Sequence, residues 1–88
     1  MRIEKVGDTG YKLTDLYITA AILCEPNMEL ANVEQSDGNK KQALFVVKGD
    51  PARIKQIVDD FFNGKHRVDA NLYKSKIQIL KSRLYANF

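Results

Sequence analysis

Residues 28–48, MELANVEQSDGNKKQALFVVK, read as a β-hairpin, and the rest of the chain has to be arranged around it. Two runs rich in apolar and β-branched residues, 28–35 and 40–48, flank Ser36-Asp37-Gly38-Asn39. Asp-Gly is a favoured centre for a type I′ hairpin turn, because both central residues need positive φ. With Asp37-Gly38 as a two-residue loop, Leu30 pairs with Phe45, Met28 with Val47 and Asn32 with Ala43, all on one sheet face. Ala31, Val33, Leu44 and Val46 then occupy the opposite face, which is also partly apolar. A lone hairpin is marginal in water. This one is therefore expected to pack against helices and to gain a third strand, from the N-terminus or from a second subunit.

Upstream, a helix is expected over residues 14–25, with Thr14 as a good N-cap and Pro26 as the stop. Asp15 in the first turn suits the helix dipole. Leu13, Leu16, Tyr17, Ala20, Leu23 and Cys24 fall on one stripe at helical spacing. Ile18 and Ile22 lie off that stripe, so the helix is apolar around much of its girth and should be covered on more than one side. Before it, Gly7-Asp8-Thr9-Gly10 is a run of turn formers between residues 2–6 and 11–13, which either form short strands or belong to a frayed start of the chain.

Downstream, Asp50-Pro51 opens a second helix, with Asp as N-cap and Pro at the first helical position. Ile54, Ile57, Val58 and Phe61 make its buried stripe, widened by Phe62. Asn63-Gly64 stops it, with Gly64 placed for the left-handed conformation after the helix end. Asp69 caps a last and longest helix, whose core stripe is Tyr73, Ile77, Leu80, Leu84 and Phe88. The expected fold class is α+β: an N-terminal helix, a small antiparallel sheet centred on the hairpin, then two C-terminal helices. The order is α-β-β-α-α, with a short N-terminal strand as an addition.

Eighty-eight residues are expected to make one domain, residues 1–88. A chain this short buries only about 60–65% of its unfolded surface, which favours a partner or a homodimer. With Cys24 as the one cysteine, no intramolecular disulfide can form, and a reducing, cytoplasmic setting is expected. His66 is the one histidine, and no metal-ligand spacing accompanies it. No cofactor is expected. No apolar run approaches the roughly 18–20 residues that span a bilayer, and the N-terminus lacks the apolar stretch of a signal peptide. Asp59 and Asp60 diverge by about 100° on a helix, no glycine-rich phosphate loop is present, and the serines have no convergent histidine arrangement. An enzyme is not expected, and no small-molecule substrate is evident.

Charge is the informative feature. Residues 1–64 hold eight Lys/Arg against ten Asp/Glu, whereas residues 65–88 hold six (Lys65, Arg67, Lys74, Lys76, Lys81, Arg83) against Asp69 alone. Such asymmetry points to a polyanionic partner. At about 100° per residue, Lys74, Gln78, Lys81 and Tyr85 fall on one side of the last helix's core stripe. Lys76 and Arg83 fall on the other, beside Leu72 and Ile79. Cations without acids neutralise phosphates, Gln can read a base edge, and Tyr can stack on an unpaired base. His66 lies between Lys65 and Arg67, just ahead of a helix N-terminus, itself a favourable anion site. The expected interface with DNA or RNA is therefore Lys65, Arg67, Lys74, Lys76, Lys81, Arg83 and Tyr85. Long exposed helices are also commonly rich in Lys and Arg for solubility and dipole reasons. The competing expectation is accordingly a homo-oligomeric protein-interaction module, with Leu72 and Ile79 at the contact.

Several motifs follow in order: Tyr11-x-x-Thr14-Asp15-Leu16-Tyr17-x-x-Ala20-Ala21-x-Leu23, then Ala43-Leu44-Phe45-Val46-Val47, Asp69-x-x-x-Tyr73 and Leu80-Lys81-x-x-Leu84-Tyr85. Together they resemble a family of short domains of unassigned activity that recurs in bacterial and bacteriophage genomes. The resemblance runs from Tyr11 to Tyr85 and implies a bacterial or phage origin. In that family the last helix often has arginine three residues before the lysine; here Gln78 stands there, which removes one cation from that side.

Overall fold

The computed structural model describes residues 3–35 and 43–87. Its elements are β1 (Ile3–Val6), β2 (Gly10–Leu13), α1 (Leu16–Leu23), β3 (Glu29–Gln35), β4 (Ala43–Lys48), α2 (Pro51–Phe62) and α3 (Ala70–Asn87). The four strands form one antiparallel sheet in the order β1-β2-β4-β3. The α+β class agrees with the sequence reading, but the chain opens with two strands rather than with a helix. These strands supply what the hairpin lacks, because β2 lies along β4 from Gly10 opposite Lys48 to Leu13 opposite Phe45. Gly10 is required by close approach: a Cβ there would stand 2.8 Å from the Val6 carbonyl oxygen. Beyond the ladder, the Gly49 N–H donates to the Thr9 carbonyl at 2.8 Å.

The register of the hairpin differs from the expected one. Leu30 faces Val47, Val33 faces Phe45 and Gln35 faces Ala43, with an irregularity between Leu30 and Asn32. A two-residue loop at Asp37-Gly38 would have put Asn32 opposite Ala43; the loop residues themselves, like Phe88, lie outside the described residues. The physical reason is burial. Leu30 and Val33 are an odd number of residues apart, so a regular strand would send them to opposite faces. The extra residue of a bulge at Ala31 restores them to one face. Val33, Phe45, Val47 and Leu13 then bury together, while Asn32 stays exposed. On the other face, Lys12 Nζ reaches Glu34 Oε2 at 3.0 Å across β4.

α1 packs against α2, α3 and β4. Its N-cap is Asp15, not Thr14: the carboxylate accepts from the Tyr17 and Ile18 N–H groups at 2.8 and 3.0 Å. Ile18 and Ile22, off the expected stripe, are fully buried, as are Ala20, Ala21 and Thr19, whereas Tyr17 is exposed. Thr19 is satisfied inside by donating its hydroxyl to the Asp15 carbonyl at 2.7 Å. A helix apolar on most sides is thus covered on most sides, and its stripe is no guide to which side faces the sheet. In α2, Asp50 caps as expected, accepting from the Ala52 N–H at 3.2 Å. Ile54, Ile57 and Val58 are buried, but Phe62 is 62% exposed. Adjacent helical residues point about 100° apart, so only Phe61 of the pair reaches the core. Arg53 of α2 pairs with Glu25, just past the end of α1.

Candidate nucleic-acid interface

The segment joining α2 to α3 is fixed by local chemistry. Gly64 has φ +69°, the left-handed region that glycine enters without a Cβ penalty. The Lys65 and His66 N–H groups both donate to the Asp60 carbonyl, at 2.8 and 3.2 Å. Asp69 then starts α3, with its Oδ2 accepting from the Leu72 N–H at 2.9 Å and its carbonyl from the Tyr73 N–H at 2.9 Å. That carboxylate already sits at the positive end of the helix, so the N-terminus of α3 is not open to an external anion. His66 turns partly inward; its Nε2 is shielded from solvent and has no hydrogen-bond partner among the described residues. By sequence it could join Lys65 and Arg67 without being counted in the interface; those two are exposed and it is half-buried.

α3 spans 18 residues, about 27 Å at 1.5 Å per residue. It is anchored by fully buried Leu80, with Tyr73 and Ile77 packed against the core. Leu84 is half-buried on the same stripe. The Tyr73 hydroxyl donates to the Tyr17 carbonyl at 3.2 Å, fastening α3 to α1. With that stripe turned inward, the remaining surface divides by helical spacing. Lys74, Gln78, Lys81 and Tyr85 are all exposed on one flank, and Tyr85 is 75% exposed. About 140° around the helix from the middle of that flank lie Leu72 and Ile79, 39% and 47% exposed. Between them and the core lie exposed Arg83 and half-buried Lys76.

The seven proposed interface residues are therefore not one surface. Lys74, Lys81 and Tyr85 share a flank; Lys65 and Arg67 precede the helix; Lys76 and Arg83 lie on the far side. Lys76 also acts within the protein. The Cys24 thiol, at the end of α1, is pushed above its ordinary range chiefly by burial, while the Lys76 ammonium pulls it down and Asp69 and Glu25 push it up. None of Lys65, Arg67, Lys74, Lys76, Lys81 and Arg83 forms an ion pair among the described residues; the pairs Lys12–Glu34 and Arg53–Glu25 lie elsewhere.

Elsewhere, a groove of about 350 Å³ runs between the β1–β2 pair and α2, lined by Ile3, Tyr11, Ile54 and Val58, with Lys55 and Asp59 at its rim. Among the described residues no cluster of His, Cys, Asp and Glu could hold a metal ion, and no helix is long and apolar enough to cross a membrane. The exposed Phe62 and Tyr17 were missed in the sequence; the signal for Phe62 was its adjacency to Phe61. Comparison with family models, with curated proteins and with solved structures finds no match to the chain.

Proposed function

We propose that the chain is a small nucleic-acid-binding accessory protein of bacterial or bacteriophage origin, engaging DNA or RNA through the basic C-terminal segment. One observation carries this reading: Lys65, Arg67, Lys74, Lys81 and Arg83 are exposed and make no ion pair among the described residues. Cations without internal partners are available to phosphates, and the counterions they release drive binding. Tyr85 and Gln78 on the Lys74/Lys81 flank add groups suited to bases. The test is fluorescence anisotropy at low salt with single- and double-stranded DNA and RNA. Binding is expected in roughly the micromolar range, weakening as salt rises, and is lost when Lys74, Lys76, Lys81 and Arg83 are changed together to Glu. No binding to any of the four nucleic acids, or binding that survives the charge reversal, overturns the reading.

A second reading, a homo-oligomeric interaction module, rests on a different observation, the exposure of Leu72 and Ile79 on the opposite flank of α3. Light scattering tests it: a concentration-dependent dimer abolished by Ile79→Glu supports it, and a strict monomer removes it.

A further inference from the structure

We infer that the α3 surface is built for a single strand of nucleic acid rather than for a duplex, an inference that rests on the reading of α3 as a nucleic-acid interface. A helix set into the major groove of a duplex lies between two phosphate backbones, and both of its flanks face negative charge. α3 meets that requirement unevenly, with two exposed lysines on one flank and one exposed cation on the other. Lys74 and Lys81 stand on one flank, while the opposite flank presents Leu72 and Ile79, 39% and 47% exposed. Arg83 is the exposed cation of α3 on that far side, because Lys76 is half-buried and close enough to Cys24 to act on its thiol. Inserted in a groove, Leu72 and Ile79 would desolvate one of the two backbones with Arg83 as the exposed cation left to compensate.

A single strand has one backbone, with its bases free to turn aside, and the Lys74 flank has that asymmetry. Lys74 and Lys81 are two helical turns apart, about 10.5 Å, and Tyr85 stands about 6 Å beyond Lys81. The Tyr85 ring is 75% exposed, and the ring contact found among the described residues is between Phe61 and Phe62, so no described ring stacks on Tyr85. An exposed aromatic ring in line with two lysines that form no ion pair among the described residues is the arrangement that tracks a backbone and stacks a base irrespective of sequence. In a duplex the bases are already stacked on one another, and the same ring gains little.

The experiment measures the affinity of the full chain for one labelled mixed-sequence oligonucleotide, as a single strand and as its duplex, at low salt. The single strand is expected to bind at least about tenfold more tightly, and Tyr85→Ala to weaken it by roughly 5- to 100-fold while leaving the duplex nearly unchanged. Tyr85→Phe should retain single-strand affinity, because stacking uses the ring and not the hydroxyl. Circular dichroism of the variants guards against misfolding, which the ring's exposure makes a small risk. Duplex binding as tight as single-strand binding, or a Tyr85→Ala variant of unchanged single-strand affinity, overturns this inference and leaves the proposed function standing. Absence of binding to either form overturns both.

Discussion

The Tyr73 hydroxyl donates to the carbonyl oxygen of Tyr17 at 3.2 Å, bridging α3 to the first turn of α1. The Tyr17 side chain contributes nothing to this bridge and is itself 53% exposed. The contact holds the basic helix at one orientation, with Ile77 and Leu80 inward and the Lys74 flank outward. Its removal should be felt first in stability and then in the pH dependence of stability.

Tyr73→Phe keeps the ring and deletes the donor. A net hydrogen bond contributes about 1 kcal/mol, so the melting temperature should fall by roughly 4–8 °C in a domain of this size. Burial raises the Tyr73 phenol above its ordinary value, and Asp15, Cys24 and Tyr17 add in the same direction. The folded state therefore holds the proton where the unfolded chain releases it. That contribution is complete below the ordinary tyrosine value of about 10 and is lost as pH rises through the higher folded value. The gap in melting temperature between wild type and Tyr73→Phe should narrow as pH rises above about 10. A gap that stays constant across that range would count against the assignment.

Cys24 tests the same packing from the other end of α1. Burial raises its thiol and Lys76 opposes the shift. The thiolate is the reactive form, so alkylation by neutral iodoacetamide near pH 8 should be slower for the folded protein than for the chain in denaturant. Lys76→Gln should slow it further, since the opposing charge is gone. A variant that reacts as fast as wild type would show that Lys76 does not act on the thiol.

What the sequence made legible, and what it did not, follows from how local each signal is. Asp50, Asp69 and Gly64 took up the predicted capping roles because caps are settled within a few residues. The two flanks of α3 were legible for the same reason, being fixed by helical spacing once Leu80 was placed inside. The hairpin register was not, because a strand's phase is decided by what lies across from it. Nothing within residues 28–35 announces that Ala31 is surplus. Nor could the sequence show that His66 turns partly inward or that Lys76 settles beside α1, since both depend on a neighbouring element.

The register yields its own test in urea unfolding. Val33 is 6% exposed opposite Phe45, so Val33→Ala should cost on the order of 1–3 kcal/mol through lost burial and the cavity left behind. Asn32 is exposed, and Asn32→Ala should stay within about 0.5 kcal/mol. A two-residue loop at Asp37-Gly38 would have placed Asn32 beside Leu30 and Phe45 and turned Val33 away. The larger loss falling on Asn32→Ala would restore that tighter hairpin.

The cations of α3 should contribute unequally to binding, and salt dependence separates them. Each phosphate neutralised on a single strand contributes about 0.7 to the slope of log K against log salt. Lys74 and Lys81 are exposed on the Tyr85 flank, so Lys74→Gln and Lys81→Gln should each lower the magnitude of the slope by about 0.7. Lys76 is half-buried, and part of its field acts on Cys24. Lys76→Gln should therefore lower the slope by clearly less, measured on the same oligonucleotide over the same salt series. Equal losses from all three would mean that phosphates run along both sides of α3, as they do around a helix lying in a duplex groove.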